Sequence, residues 1–196
     1  MAKIKYIKTG NAKGRITLGI EYNGDCRGYS VLENTYFSLG SPPREYNLSD
    51  TAFARICCED EEYRAMKKAV SLLAVSDKST FTMRDKLVRC GFDRDVAQDV
   101  VLECVRRGYI DESRQLDRLV TKEANDALRG RMYIKRKLVG KGYRSADIDA
   151  AIDRMVAAGD IDFADNFERL AAKKGIDDVE SRRILKYKYG YVGEDY

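Results

Sequence analysis

A chain of 196 residues with 44% hydrophobic and 35% charged residues can fold into one to three small modules without cross-links, and this composition argues against disorder. Histidine is absent, which removes the commonest general base and metal ligand, and the formal net charge of +4 is too mild to hold nucleic acid unless it is concentrated locally. Cys26, Cys57, Cys58, Cys90 and Cys104 are odd in number and contain no C-x-x-C pair, so neither a disulfide framework nor a zinc site is expected, and the thiols read as reduced. There is no stretch of eighteen apolar residues, and Met1-Ala-Lys-Ile-Lys5 lacks the apolar run of a secretory signal, so a cytoplasmic protein with no membrane partner is expected.

The first 48 residues read as a small antiparallel β unit. Ile16–Tyr22 and Tyr29–Leu39 are β-branched and aromatic runs separated by Asn23-Gly24-Asp25, a hairpin signal. Gly40-Ser-Pro42-Pro43 ends the second run and holds both prolines of the chain. Ser49 is placed to cap a short helix carrying Phe53, Ile56 and Cys57, and Tyr63, Met66, Val70 and Leu73 predict a longer amphipathic helix over residues 60–76.

Beyond residue 80, a shift of 51 residues superimposes two segments without a gap. Met83, Leu87, Gly91 and Phe92 fall on Ile134, Leu138, Gly142 and Tyr143. Ala97, Val101, Cys104, Gly108, Ile110 and Asp111 fall on Ile148, Ile152, Met155, Gly159, Ile161 and Asp162, and Leu116 and Leu119 fall on Phe167 and Leu170. Each glycine stands where a helix would end in the left-handed conformation, and each aspartate where a carboxylate would cap the next helix. The unit is therefore helix, turn, helix, turn, helix. Arg182–Tyr191 resembles the first helix of a third, partial copy. These features predict a β unit over 1–48, the first helical module or modules over 49–125, a second three-helix repeat over 126–175 and a partial third over 176–196.

Motifs that could carry chemistry have simpler readings. Gly140-Lys-Gly142 follows a helix rather than a strand and Gly10-Asn-Ala-Lys-Gly14 lacks a following Lys-Ser or Lys-Thr, so no phosphate loop is expected. Asp111 and Asp162 read as helix caps, Asp111-Glu112, Asp160, Asp162 and Asp165 give no metal site, and no cofactor or catalytic residue is expected. Charge is another matter. Between residues 122 and 144 eight basic side chains face only Glu123 and Asp126, and with Ile134 and Leu138 turned inward the helical increment gathers Arg131, Lys135, Arg136 and Lys137 into a ridge continued by Arg144. A second cluster, Arg182, Arg183, Lys186 and Lys188, is interleaved with Tyr187, Tyr189 and Tyr191, which suit either stacking on a partner or packing in the last repeat.

Residues 49–191 resemble the RecX family of bacterial regulatory proteins. The likeness rests on Met83-Arg-Asp-Lys-Leu-Val-Arg-Cys-Gly-Phe92, on Gly108-Tyr-Ile-Asp111 with Glu112, and on Tyr133-Ile-Lys-Arg-Lys-Leu-Val-Gly-Lys-Gly-Tyr143 with Ile148 and Ile152. Gln115-Leu116 and Gly159-Asp160-Ile161 depart from the family's pattern. The resemblance implies a mainly α protein of tandem three-helix repeats in an elongated curved array, with an N-terminal β element in some members. It further implies a monomeric, non-enzymatic partner of the RecA recombinase filament on single-stranded DNA. Such a partner restrains RecA's recombinase, ATPase and coprotease activities, in DNA repair and the SOS response. Arg131, Lys135, Arg136, Lys137, Arg144, Arg182, Arg183, Lys186 and Lys188 are the expected contacts. The rival reading is a helix-turn-helix-like DNA-binding protein that acts without RecA.

Overall fold

Alternation of apolar and polar residues turns Ile4, Leu18, Ile20 and Val31 to one side of a small sheet, where each is fully buried. In the computed structural model, which describes residues 1–9 and 12–192, this sheet comprises β1 (Ala2–Thr9), β2 (Arg15–Tyr22), β3 (Asp25–Leu32) and β4 (Asn47–Leu48). Gly10 and Asn11 of the glycine pair dismissed above lie outside the described residues, as do residues 193–196 of the partial third repeat. The strand order is β3-β2-β1-β4, antiparallel throughout, with Leu18 opposite Tyr29 and Ile16 opposite Val31. Tyr22 pairs with Asp25 across a two-residue turn in which Asn23 and Gly24 have φ of 53° and 88°, the positive pair that such a hairpin needs.

The strand run read as far as Leu39 stops at Leu32. Residues Glu33–Ser38 form a short helix, α1, because Tyr36 and Leu39 both pack on the sheet's core, and their three-residue spacing meets that surface from a helix but not from a strand. Helix α2 (Asp50–Val75) then runs without a break where two helices were expected, since neither glycine nor proline interrupts it. Ser49 caps it as predicted, its Oγ accepting the Ala52 N–H at 3.2 Å. The inner line of α2 is Ile56, Asp60, Ala65 and Ala69, whereas Tyr63, Met66 and Leu73 are half-buried and Val70 is exposed.

Asp60 is the buried charge of this region. Its carboxylate accepts from Arg27 at 2.8 Å, from Arg64 at 2.9 Å and from the Ser30 N–H at 2.9 Å, fastening β3 to α2. Residues 1–72 and 87–100 form one compact unit, and residues 73–86 and 101–196 the other.

The repeat is plain in the helices. α3 (Thr80–Arg89), α4 (Arg94–Arg106) and α5 (Glu112–Thr121) begin 51 residues before α6 (Arg131–Val139), α7 (Ser145–Ala157) and α8 (Phe163–Lys174). The superimposed pairs Met83 and Ile134, Leu87 and Leu138, Ala97 and Ile148, Val101 and Ile152, and Ile110 and Ile161 are all buried. Asp111 accepts the Arg114 N–H at 3.0 Å, and Asp162 accepts those of Ala164 and Asp165 at 2.9 and 3.0 Å, as caps should. The chain is thus mainly helical, built on a tandem three-helix pattern behind an N-terminal antiparallel sheet.

Helix α9 (Val179–Tyr189) contains most of the segment that resembles a first repeat helix, and with Tyr191 it packs into the core of the second repeat. The turn after α3, α6 and α9 closes in the same way each time. Phe92, Tyr143 and Tyr191 donate their N–H to the carbonyls of Leu87, Leu138 and Lys186. Leu185 and Tyr191 join Leu138, Phe163, Phe167 and Leu170 in one buried cluster. The end of α9 also caps the start of α6, with Tyr189 and Gly190 carbonyls accepting the Gly130 and Met132 N–H at 2.8 and 3.1 Å. Gly190 has φ of +82°, and a Cβ there would sit 2.4 Å from the Tyr133 nitrogen. Gly190→Ala is therefore expected to lower stability by about 2–4 kcal/mol, and Gly159→Ala, where φ is +78° but nothing lies within 4 Å, by about 1 kcal/mol. Urea unfolding of both variants checks this, and equal losses would contradict the close approach.

Candidate basic binding surface

Ile134 and Leu138, both fully buried, fix which side of α6 faces inward, and the basic residues take the remaining surface. The structure divides them. Arg131 donates to Asp153 Oδ1 at 2.6 Å and lies 3.6 Å from Asp149, and Lys135 reaches Asp149 Oδ2 at 2.5 Å. Arg131 holds the Asp153 carboxyl below its ordinary range by that hydrogen bond. Lys137 pairs at 2.6 Å with Glu123, a buried carboxylate in the π-helical turn Lys122–Asp126 that follows α5. Three of the four ridge charges are thus matched by carboxylates on neighbouring elements. Arg136 is exposed, with the Tyr133 ring at 5.7 Å and no ion pair among the described residues, and Arg144 is 81% exposed and 3.9 Å from Asp147.

The second cluster divides likewise. Arg182 pairs with Glu168 and lies 5.0 Å from the Phe167 ring, and Lys186 sits 5.2 Å from the same ring. These two help bind α9 to α8. Arg183, 81% exposed, reaches Glu180 at 3.7 Å within its own helix, and Lys188 is exposed with no ion pair among the described residues. The tyrosines follow both readings offered for them. Tyr191 is in the core, where burial pushes its phenol up to about 12, and Tyr187 is 80% exposed.

Tyr189 takes a third role that the sequence reading missed. Its ring and that of Tyr133 lie 4.4 and 4.3 Å from the Arg129 guanidinium, a cation held between two aromatic faces at the junction of α6 and α9. The four-residue spacing of Arg129 and Tyr133 was the available signal. In the first repeat Arg106 and Arg107 both grip Glu103 at 2.6 and 2.5 Å and hold its carboxyl at about 2, so those cations are matched too. Arg136, Arg144, Arg183 and Lys188 remain as the least compensated of the nine expected residues. Surface pairs such as those of Arg144 and Arg183 are worth at most about 1 kcal/mol and exchange readily for a partner's anions.

Residues 65–104, the second half of α2 with α3 and α4, match the family model for RecX, first three-helix domain. This segment is thus similar to the first three-helix domain of RecX. Its fold also matches two crystal structures of RecX. One, of regulatory protein RecX, has a TM-score of 0.71 at 18% identity, covering 100% of this chain and 95% of the other. The second, of RecX from Lactobacillus salivarius, has a TM-score of 0.57 at 17% identity, covering 70% of this chain and 90% of the other. At such identities the likeness is one of fold. No curated protein matches the sequence. Among the described residues, no helix is long and apolar enough to cross a membrane.

Proposed function

We propose that this RecX-domain protein is a cytoplasmic, monomeric regulator that binds the RecA filament on single-stranded DNA and restrains its recombinase, ATPase and coprotease activities in DNA repair and the SOS response. The observation that carries the reading is the RecX domain match, set in a chain whose whole length follows the fold of a protein called regulatory protein RecX. The function is one of binding surface rather than chemistry. Exposed cations on α6, on the turn before α7 and on α9 offer charge to an anionic polymer, while the paired cations hold the helices that carry them.

The proposed contacts are ranked by that division. Arg136, Arg144, Arg183 and Lys188 contact the filament directly. Arg131, Lys135, Lys137, Arg182 and Lys186 contribute to the field and to the rigidity of the surface. Replacing the first four by glutamate is expected to abolish inhibition of RecA ATPase on single-stranded DNA, with the helical circular dichroism spectrum and melting temperature unchanged. Undiminished inhibition by the folded variant would remove these residues from the interface. If the wild-type protein leaves RecA ATPase untouched but binds a duplex sequence-specifically, the helix-turn-helix reading takes its place.

A further inference from the structure

Lys86 of α3 is the repeat counterpart of Lys137, yet its electrostatic setting is the opposite. Lys137 is matched by the buried Glu123, whereas the residue 51 positions before Glu123 is Leu72, and Lys86 has no ion pair among the described residues. Instead Lys86 lines a cavity of about 490 Å³ within the unit formed by residues 73–86 and 101–196, together with Lys78 and Lys141. Lys141 likewise has no ion pair among the described residues. The one carboxylate lining the cavity, Asp77, is engaged by Arg118.

The walls of this cavity are fixed. Ser79 and Thr82 hydroxyls each donate to the Lys141 carbonyl at 2.8 Å, holding the turn after α6 against the start of α3. Gly142, with φ of +84°, lies so close that a Cβ would be 2.8 Å from Ser79 Oγ and 2.9 Å from Phe81. Leu119 and the buried Tyr143, whose hydroxyl donates to Gln115 at 2.7 Å, supply an apolar side. The lysines are left short of negative charge. Among the described residues, Lys78 Nζ donates to the carbonyl and hydroxyl of Ser76, and burial, then the charge of Lys86, pushes its ammonium below the ordinary value.

We propose that this cavity binds a run of phosphate groups, taken either from a free polyphosphate such as a nucleoside triphosphate or from the backbone of a single nucleic-acid strand. Three ammonium groups on separate elements suit an anion of spread charge, because each acts as a point charge free to choose its direction. The cavity also has an apolar side against which a sugar or base can rest. None of the nine expected contact residues lines it, and the site does not depend on the RecA reading.

The experiment uses the full chain and its K86Q/K141Q variant without RecA. Calorimetric titration with sodium tripolyphosphate and with ATP tests the free ligand, and anisotropy of a labelled oligo(dT) over a salt series tests the strand. Wild type is expected to bind at least one of them. The double variant is expected to bind it roughly tenfold more weakly at 0.15 M salt, with an unchanged circular dichroism spectrum. For the strand, the slope of log K against log salt should also fall by roughly 1.4, the share of two phosphate contacts. Binding of tripolyphosphate or ATP alone assigns the site to a free ligand, and binding of oligo(dT) alone assigns it to a backbone. No binding at millimolar ligand, or equal binding by the double variant, overturns the proposal. Because RecA is absent, failure to inhibit RecA and failure of this site are separate results.

Discussion

Tyr191→Ala is expected to lower the free energy of unfolding by about 3–5 kcal/mol, the usual loss when a large buried aromatic is cut back to alanine. The ring is 2% exposed and packs edge-on against Phe167 and Phe163, with centroids at 5.2 and 6.3 Å. Its removal opens the cluster that α9 and Tyr191 close. It also frees the end of α9, whose carbonyls cap α6. Urea denaturation followed by circular dichroism measures the loss, and a change below about 1 kcal/mol would mean that α9 is not part of the second repeat's core.

The same side chain predicts a pH dependence. Burial raises its phenol from the ordinary 10.0 to about 12, while the charges of Arg129 and Arg169 act the other way. The folded state therefore holds the proton more tightly than the unfolded one. The stability this confers is complete below pH 10 and lost as pH rises toward 12, by up to roughly 2–3 kcal/mol. Tyr191→Phe keeps the ring and removes the proton, so its unfolding free energy should fall less than that of wild type between pH 9 and 11. Identical pH slopes for the two proteins would show that the hydroxyl ionises as easily in the fold as in water.

Asp60→Ala is expected to destabilise the unit containing the sheet by about 2–4 kcal/mol. The carboxylate side chain is 4% exposed and serves three donors. Arg27 and Arg64, 52% and 48% exposed, can turn to water once it is gone, which holds the loss below that of a fully buried pair. The Ser30 N–H loses its acceptor on α2. Asp60→Asn keeps an oxygen for that N–H and should lose about half as much. Chemical unfolding of both variants decides the matter. A loss under about 0.5 kcal/mol for Asp60→Ala would mean that the sheet is held to α2 by its apolar face alone.

Much of the helical architecture was legible because its signals are local. The glycine that ends a helix at positive φ, the aspartate that caps the next and the apolar residues spaced to one face each depend on a few neighbouring residues. A pattern repeated at a shift of 51 therefore appears in the sequence as it does in the helix boundaries. The hairpin at Asn23-Gly24 was legible for the same reason. Residues 33–38 were misjudged because their β-like composition is local, whereas the surface that Tyr36 and Leu39 must meet is not. The break expected in α2 and the placing of Val70 in its core were errors of the same kind.

The candidate surface shows the limit more sharply. The count of eight basic residues against two acidic ones between 122 and 144 is correct as sequence, but the carboxylates that answer Arg131 and Lys135 are Asp149 and Asp153 on the next helix. Nothing in the window reveals them. Asp60 stands in the run Glu59-Asp60-Glu61-Glu62, and only tertiary packing selects it for burial.

The sequence by itself thus determined the repeated helical unit, its caps and turns, and the RecX resemblance, because these follow from backbone geometry over a few residues. Tertiary structure alone decided which cations are answered, which carboxylate is buried and that α9 and Tyr191 close the core of the repeat before them, since Coulomb attraction and packing act across space between residues far apart in the chain.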